Sequence, residues 1–342
     1  MSASAPSAAP AVTPWPRLIV VGVGLAAVVL VVLLAFIWPS VTSTVHGVRV
    51  VVAGPSAVTK PLEAQLTKKL GDTLDLKTVG SRAAAVTQIE RREVYGAIVV
   101  GADPEVLTAS AASPVVSGLL GTVATQLQTQ LQAAADAQAQ AAGAAAPTVT
   151  VKVTDVVPLA STDARGSGIA ASSFPLVLGG MVGGVGIGMV VKGIARRLVA
   201  VTAYAIVGGA ALAAVLEGFG VLHGNYLVDA AAAALSLAAI AGPVVGARAL
   251  FGMPGLVVGP ILFLLFANPI SSAATPKEFL PGPWGEVGQW LPPGAAATLM
   301  RDLSYFPQAD TLFPWLVLGG WTVLGYLLAA LAHVRDRRAA LR

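Results

Sequence analysis

Apolar runs long enough to cross a lipid bilayer constrain this chain more than any other feature. The first, RLIVVGVGLAAVVLVVLLAFIWP, is opened by Arg17, and nothing comparable follows until about residue 170. Five more then come in close succession, over about 172–191, 198–217, 227–247, 254–272 and 313–333. About 20 apolar residues in a helix span the ~30 Å hydrocarbon core. Charged residues make up only 11% of the chain, against about 25% in soluble domains, so much of the surface is suited to lipid. The expected fold is an α-helical polytopic membrane protein with six transmembrane helices. The first run exceeds the ~7–15-residue core of a signal peptide, and no A-x-A site follows in IWPS. It is therefore read as a retained span, 17–39, behind a Ser/Ala/Pro tail, 1–16, expected to be disordered and cytoplasmic.

Basic residues order the topology. With six spans, Arg17, Lys192, Arg196, Arg197, Arg248, Arg335, Arg337, Arg338 and Arg342 fall on one side, against the single acid Asp336. The positive-inside rule assigns that side, with both termini, to the cytoplasm. Segments 41–168 and 273–312 then lie outside, five helices occupy 170–335, and 336–342 is a basic cytoplasmic tail. The net charge of +4 is distributed over helix ends rather than gathered in one patch, which favours the bilayer over nucleic acid as a partner. The absence of cysteine removes disulfides, thiolate metal sites and thiol nucleophiles.

Residues 41–168 read as an α/β domain inserted between the first and second spans. Strand patterns at 48–54, 74–80 and 93–101 alternate with helical ones at SAVTKPLEAQLTKKLGD, where Ser56 is an expected N-cap, and SRAAAVTQIERR. Such alternation predicts a parallel sheet with right-handed crossovers. From Pro114 to Gly143, Val116, Leu119, Leu120, Val123, Leu127 and Leu131 form one helical stripe, to be packed on the sheet or on a second copy. AQAQAAGAAAP, 137–147, reads as a fraying end or linker, and TVTVKVTDVVPL, 148–159, as the last strand. His46, the domain's only histidine, reads as a juxtamembrane surface residue, ERRE at 90–93 as a solvated helix end in preference to an anion site, and Asp103, Glu105, Asp155 and Asp163 as scattered acids. No metal site, cofactor or catalytic set is expected among them.

Ionisable groups at the centre of a span cost ~2.5–3.5 kcal/mol each on insertion scales. Glu217 ends the third span, Asp229 begins the fourth, and His223 lies in the turn between them. They read either as a cation or proton site at the mouth of a pathway or as interfacial residues bonded to loops. The fifth span carries Pro254, Pro260 and Pro269, with Asn268 before the last. It is expected to be broken, and broken helices often line pathways. In the 273–312 loop, Trp284, Trp290, Tyr305, Phe306 and Phe313 suit a headgroup interface, and PPGAAATLMRDLSYF reads as a short interfacial helix carrying Arg301.

The second span holds LGGMVGGVGIGMVVKG, with Gly179, Gly180, Gly183, Gly184 and Gly188 among its glycines. A phosphate loop needs GxGxxG or GxxxxGK after a strand, and neither spacing occurs. Gly179–Gly183, Gly180–Gly184 and Gly184–Gly188 are instead small-xxx-small pairs for close helix packing, within the chain or across a homodimer.

One span before a large outer domain, five after it, and an interfacial helix before the last form a recognisable order. RREVYGAIVVG (91–101), VVPLASTDARGSG (156–168) and WLPPGAAATLMRDLSYF (290–306) accompany it. In these respects the chain resembles the phage-infection-protein-like branch of the type-2 ABC-transporter permeases. The resemblance implies a dimeric membrane component of an export-type transporter in a bacterial plasma membrane, with a separate ATP-binding subunit. The chain itself has no Gly-Lys pair and hence no Walker A motif. It departs from the pattern in the loop KGIARR, 192–197, which leaves an ATPase little to grip.

Two functions remain in competition. One is a permease-like transport component whose pathway involves Glu217, His223, Asp229, Asn268 and Arg301. The other is a non-transporting envelope receptor or secretion and assembly factor whose outer domain binds a partner. An enzyme is not expected, since neither HExxH nor GxSxG occurs.

Overall fold

A computed structural model describes residues 14–340 except 102; the expected tail up to residue 13, and Arg342, lie outside the described residues. Helix α1, Trp15–Thr42, begins directly after Pro14, two residues earlier than expected, and runs past Pro39. It is followed by β1 (Val48–Ala53), α2 (Ser56–Leu70), β2 (Leu74–Val79), α3 (Arg82–Glu90), β3 (Gly96–Val99), β4 (Glu105–Thr108), α4 (Pro114–Ala142) and β5 (Lys152–Asp155). The remaining helices are α5 (Gly168–Val190), α6 (Ile194–Gly218), α7 (Tyr226–Phe251), α8 (Trp284–Gln289), α9 (Pro292–Tyr305) and α10 (Leu312–Ala340). Among the described residues five helices, α1, α5, α6, α7 and α10, are long and apolar enough to cross a membrane.

The sheet is mixed rather than parallel. Its order is β2-β1-β3-β4-β5; β1 pairs in parallel with β2 and β3, β4 antiparallel with β3, and β5 parallel with β4. Two of the three expected strands stand close to their predicted ranges. The third contracts to Gly96–Val99; Val94 and Tyr95 are buried just ahead of it, and the Tyr95 amide donates to Arg49 O of β1 at 2.9 Å. Strand β4, which the sequence reading passed over, is fully buried although it begins with Glu105 and ends with Thr108. Only 152–155 of the expected last strand pairs. The approach to it is held instead by α4, where Gln132 and Gln128 accept from the amides of Val149 and Val151. The stripe of α4 packs on the sheet of its own chain, and α4 stays helical through the supposed linker as far as Ala142, closing on Gly143 at φ +63°. Ser56 opens α2 without capping it; Pro55 is the N-cap and Ser56 is the first helical residue.

The membrane bundle is organised around α7, fifteen of whose 26 residues are buried. Its neighbours reach it by omitting side chains. A Cβ on Gly180 would lie 2.7 Å from Ile240, and one on Gly184 would lie 2.9 Å from Val244 and 3.0 Å from the Ala241 backbone. Gly188 sits against Leu256 and Arg248. Gly179 and Gly183 face Tyr204 of α6, whose hydroxyl donates to the Gly179 carbonyl at 2.7 Å. On its other sides α7 meets Gly209 of α6 through Ala234 and Gly325 of α10 through Gly242 and Pro243. The glycine stretch therefore packs within its own chain. By contrast, α1 is exposed along nearly its whole length and touches the rest only near its C-terminal end, where Trp38 meets Trp284 edge-on at 6.1 Å.

The expected fifth span is shorter than 254–272. Helical structure covers Met253–Ala267: a 3-10 turn over Met253–Val257, then a π-helix over Pro260–Ala267. Pro254 and Pro260 lack the amide hydrogens a regular α-helix would use, and proline at such positions redirects the ladder. Fifteen residues rise ~22 Å at the α-helical rate, short of the ~30 Å core. Even so, Gly255 lies on Ala247 near the end of α7, while Phe266 stacks on Trp284 at 5.8 Å.

Candidate functional site

Most of the basic topology residues gather at one end of the bundle. Lys192 lies in the three-residue turn 191–193 between α5 and α6, and Arg196 and Arg197 open α6. Arg197 donates to the Val191 carbonyl at 2.7 Å, and Arg335 to that of Leu250 at 2.7 Å. Arg248 ends α7, and Arg337 and Arg338 end α10; Arg17 sits in the first turn of α1. Gly252 alone separates α7 from the broken helix.

The opposite end is a seam between the sheet domain and loop 273–312, and its chemistry begins with a helix stop that lacks glycine. After α3 the amide of Glu93 bonds to Gln88 O and that of Arg92 to Ile89 O, the paired pattern of a Schellman cap. The left-handed position of that cap, usually glycine, holds Arg92 at φ +56°, a conformation costing a non-glycine residue ~1–2 kcal/mol. The turn aims Arg92 across the seam. Its guanidinium meets Asp302 of α9 at 2.5 Å and lies over the Phe306 ring at 5.7 Å. ERRE is thus not a solvated end at Arg92. Beside it, Tyr95 donates to Glu278 at 2.7 Å, and Arg49 pairs with the same carboxylate at 3.1 Å. Gln308 donates to Glu90 at 3.0 Å. The apolar contacts agree, since Phe279 and Phe306 belong to the buried core of the sheet domain.

Helix α9 is correspondingly not an amphipathic helix resting on lipid. Ten of its residues are buried, including Arg301 and Asp302, and Phe306, expected at the headgroups, is 1% exposed. Trp290 and Phe313 do remain exposed, with rings edge-to-face at 4.9 Å.

Behind the seam is a cavity of about 490 Å³ lined by Arg49, Arg91, Arg92 and Arg301, with Gln289 and Asp302. Burial pulls the Arg301 guanidinium down to about 10, with neighbouring Arg92 adding to the effect, so it stays protonated at neutral pH. Arg301 donates to the Ala273 carbonyl at 2.9 Å, and among the described residues it has no carboxylate within ion-pair distance; nor has Arg91. Burial also pulls down on Arg92, but Asp302, Tyr95 and Glu278 outweigh it and its pKa is raised. Burial pushes the Asp302 carboxyl above its usual range while Arg92 opposes the rise. Tyr95 is pushed well above the ordinary phenol range, first by burial and then by Glu278, and serves as a neutral donor. Gln289 is held by both ends, donating to Ser271 O and accepting from Thr298.

The residues expected to line one pathway do not meet at one place. Glu217 and His223 are exposed, and His223 stacks on Tyr305 at 5.5 Å. Asp229 is 3% exposed and its Oδ1 has no partner. Asn268 lines a separate cavity of about 450 Å³ between α1, the start of α5 and residues 268–275. Only Arg301 reaches the seam. His46 bonds locally to Thr44, and Asp163 caps the start of α5 through the Gly168 amide. Glu105 is not an isolated acid, as it accepts from Arg82 and Thr154. Among the described residues no three His, Asp or Glu side chains converge to hold a metal. Sequence reasoning missed Arg49, Tyr95 and Glu278, and noted Arg92 within ERRE and Asp302 beside Arg301 without their pairing; the one available signal was charge in segments otherwise poor in it. No family model matches the chain, nor does any curated protein or solved structure.

Proposed function

We propose that the chain is a six-span protein of a bacterial plasma membrane, with both termini cytoplasmic and the seam outside, acting as an envelope receptor or assembly factor. The broken helix supplies the sixth crossing in this reading, since its contacts run from the basic end of α7 to Trp284 at the other end. The observation that carries the reading is the contrast between the two ends. The sheet domain and loop 273–312 share a core and close a cavity of about 490 Å³ around four arginines. At the basic end, residues 191–193 and Gly252 are the only connections between the paired helices, which supplies no coupling helix for an ATP-binding subunit. Crosslinking of the full-length protein in membranes is the test. A specific envelope partner or ligand captured through the seam, and abolished by substitutions in the cavity, is expected; capture that ignores those substitutions refutes the assignment.

A permease-like component of an export-type transporter is the second reading. It is favoured by the 3-10 and π-helical Met253–Ala267 segment and by the cavity at its end that holds Asn268. It requires a separate ATP-binding subunit, and co-purification with one, with ATP hydrolysis stimulated in liposomes, is its test. A homodimer would have to use lipid-facing surfaces such as α1, because the glycine face of α5 is already occupied.

A further inference from the structure

The arginine-lined cavity does not end at the seam. Trp290 and Phe313 form part of its lining and also the upper wall of a second, apolar groove of about 350 Å³. That groove descends the outside of α10 past Leu316, Val317, Gly320 and Trp321 to Leu324. From Phe313 to Leu324 is eleven residues, or ~16 Å of helix, which matches half of the ~30 Å hydrocarbon core. The groove therefore has the depth of one leaflet. Its floor is open at Gly320, where an added Cβ would meet nothing within 4 Å. The indole of Trp321 is held in place by its donation to Trp290 O at 2.9 Å.

Charge and shape specify what fits. The polar chamber offers two guanidinium groups not committed to a carboxylate, one exposed on Arg91 and one buried on Arg301. Of the three carboxylates that also line it, Asp302 and Glu286 are paired with Arg92 and Lys277, and Asp310 accepts from the Leu312 amide at 2.9 Å, so cations still outnumber acids in the lining. An anion with several acceptor oxygens satisfies the free guanidinium donors, and a hydrocarbon chain attached to it covers the groove. Neither a soluble anion nor a plain hydrocarbon uses both compartments.

We propose that this continuous chamber and groove bind an anionic phospholipid, one whose headgroup phosphate is not balanced by a cation of its own. Its phosphate lies between Arg91 and Arg301, and one hydrocarbon tail lies along α10 from Phe313 to Leu324. The inference rests on the reading of the seam as a recognition site and names the class of its ligand.

The test uses the full-length protein purified in neutral detergent and offered phosphatidylglycerol, phosphatidylcholine or inorganic phosphate, with retained lipid counted by native mass spectrometry. Wild type is expected to retain phosphatidylglycerol about tenfold or more over phosphatidylcholine, the scale of a charge-assisted contact. Arg91→Gln and Gly320→Phe are each expected to lose that preference. Arg91 is exposed and a Cβ at Gly320 would meet nothing within 4 Å; each variant, with Arg301→Gln, which should lose the preference too, is read once its elution profile shows an intact fold. Equal retention of the two lipids, or retention unaffected by both Arg91→Gln and Gly320→Phe, overturns the proposal. Binding of inorganic phosphate that depends on Arg91 but not on Gly320 overturns the lipid while leaving the seam a recognition site. If no ligand or partner depends on Arg91 or Arg301, the recognition reading falls as well.

Discussion

Gly184 offers a sharp test of how the bundle is held together. A methyl group there would sit 2.9 Å from Val244 Cβ and 3.0 Å from the Ala241 Cα and carbonyl oxygen. Carbon atoms in good contact lie ~3.5–4.0 Å apart, so Gly184→Ala must separate α5 from α7 by roughly 0.5–1.1 Å. Backbone atoms cannot rotate aside, so the helices themselves must move. Overpacking of this kind costs about 1–3 kcal/mol, and the added loss of interhelical contact is not recovered by lipid, which lacks a hydrophobic drive of its own between helices. The control lies two residues along the same helix, since Gly186 has open space where its Cβ would stand. Glycine-to-alanine changes gain about 0.8–1.0 kcal/mol of helix propensity, and that gain is common to both sites. Their difference isolates the contact. Unfolding titrated with sodium dodecyl sulfate should find Gly184→Ala about 1–3 kcal/mol less stable than Gly186→Ala, with Gly184→Leu worse again and Gly186→Leu tolerated. Equal stability of the two alanine variants would refute the close approach.

The other expectations concern polar contacts. Removing one partner of the buried Arg92–Asp302 pair, as in Asp302→Ala, should cost about 3–5 kcal/mol because the remaining charge is stranded; a double-mutant cycle with Arg92→Met should show strong coupling between the sites. Tyr204→Phe deletes the donation to Gly179 and should cost about 0.5–1.5 kcal/mol in the same titration, whereas an unchanged midpoint would mean that packing alone holds α5 on α6. The hydrogen bond from Arg82, opposed by burial, holds the Glu105 carboxyl below its usual range. Its stabilisation is therefore fully present above the ordinary glutamate pKa of about 4.3 and is lost as pH falls through the lower folded value. Glu105→Gln should flatten the acid limb of a stability profile, and an unaltered limb would exclude this pair as its origin.

The membrane part was readable because lipid imposes a simple composition on each span: α5, α6 and α7 start and end within four residues of the expected bounds, and α10 starts one residue early but runs seven past its expected end. The glycine spacing announced a close contact, but the identity of the neighbour depended on three-dimensional order that no single run encodes. Local rules failed where tertiary contacts supply the missing group. Strand β4 carries Glu105 inward because Arg82 and Thr154 meet it. The cap after α3 uses Arg92 instead of glycine because Asp302, 210 positions later, receives its side chain. Likewise Phe306 looked like an interfacial anchor because its burial is created by a distant sheet. The site thus escaped notice for one reason: its charges are meaningful only as pairs, and the pairs join segments far apart in the chain.

Phe279 and Phe306 complete a core whose other members almost all precede the second long apolar helix. During synthesis the sheet segment emerges first, yet it lacks Phe279 until α5, α6, α7 and the broken helix have been made, and Phe306 until α8 and α9 have followed. With the orientation proposed above, those rings arrive only when the 273–312 loop has itself crossed the membrane. The head can reach its final packing only after nearly all of the membrane chain has been inserted, so an intact seam certifies a completed topology. A fragment ending near residue 168 would remain at the unfinished stage, with the sites of both rings vacant.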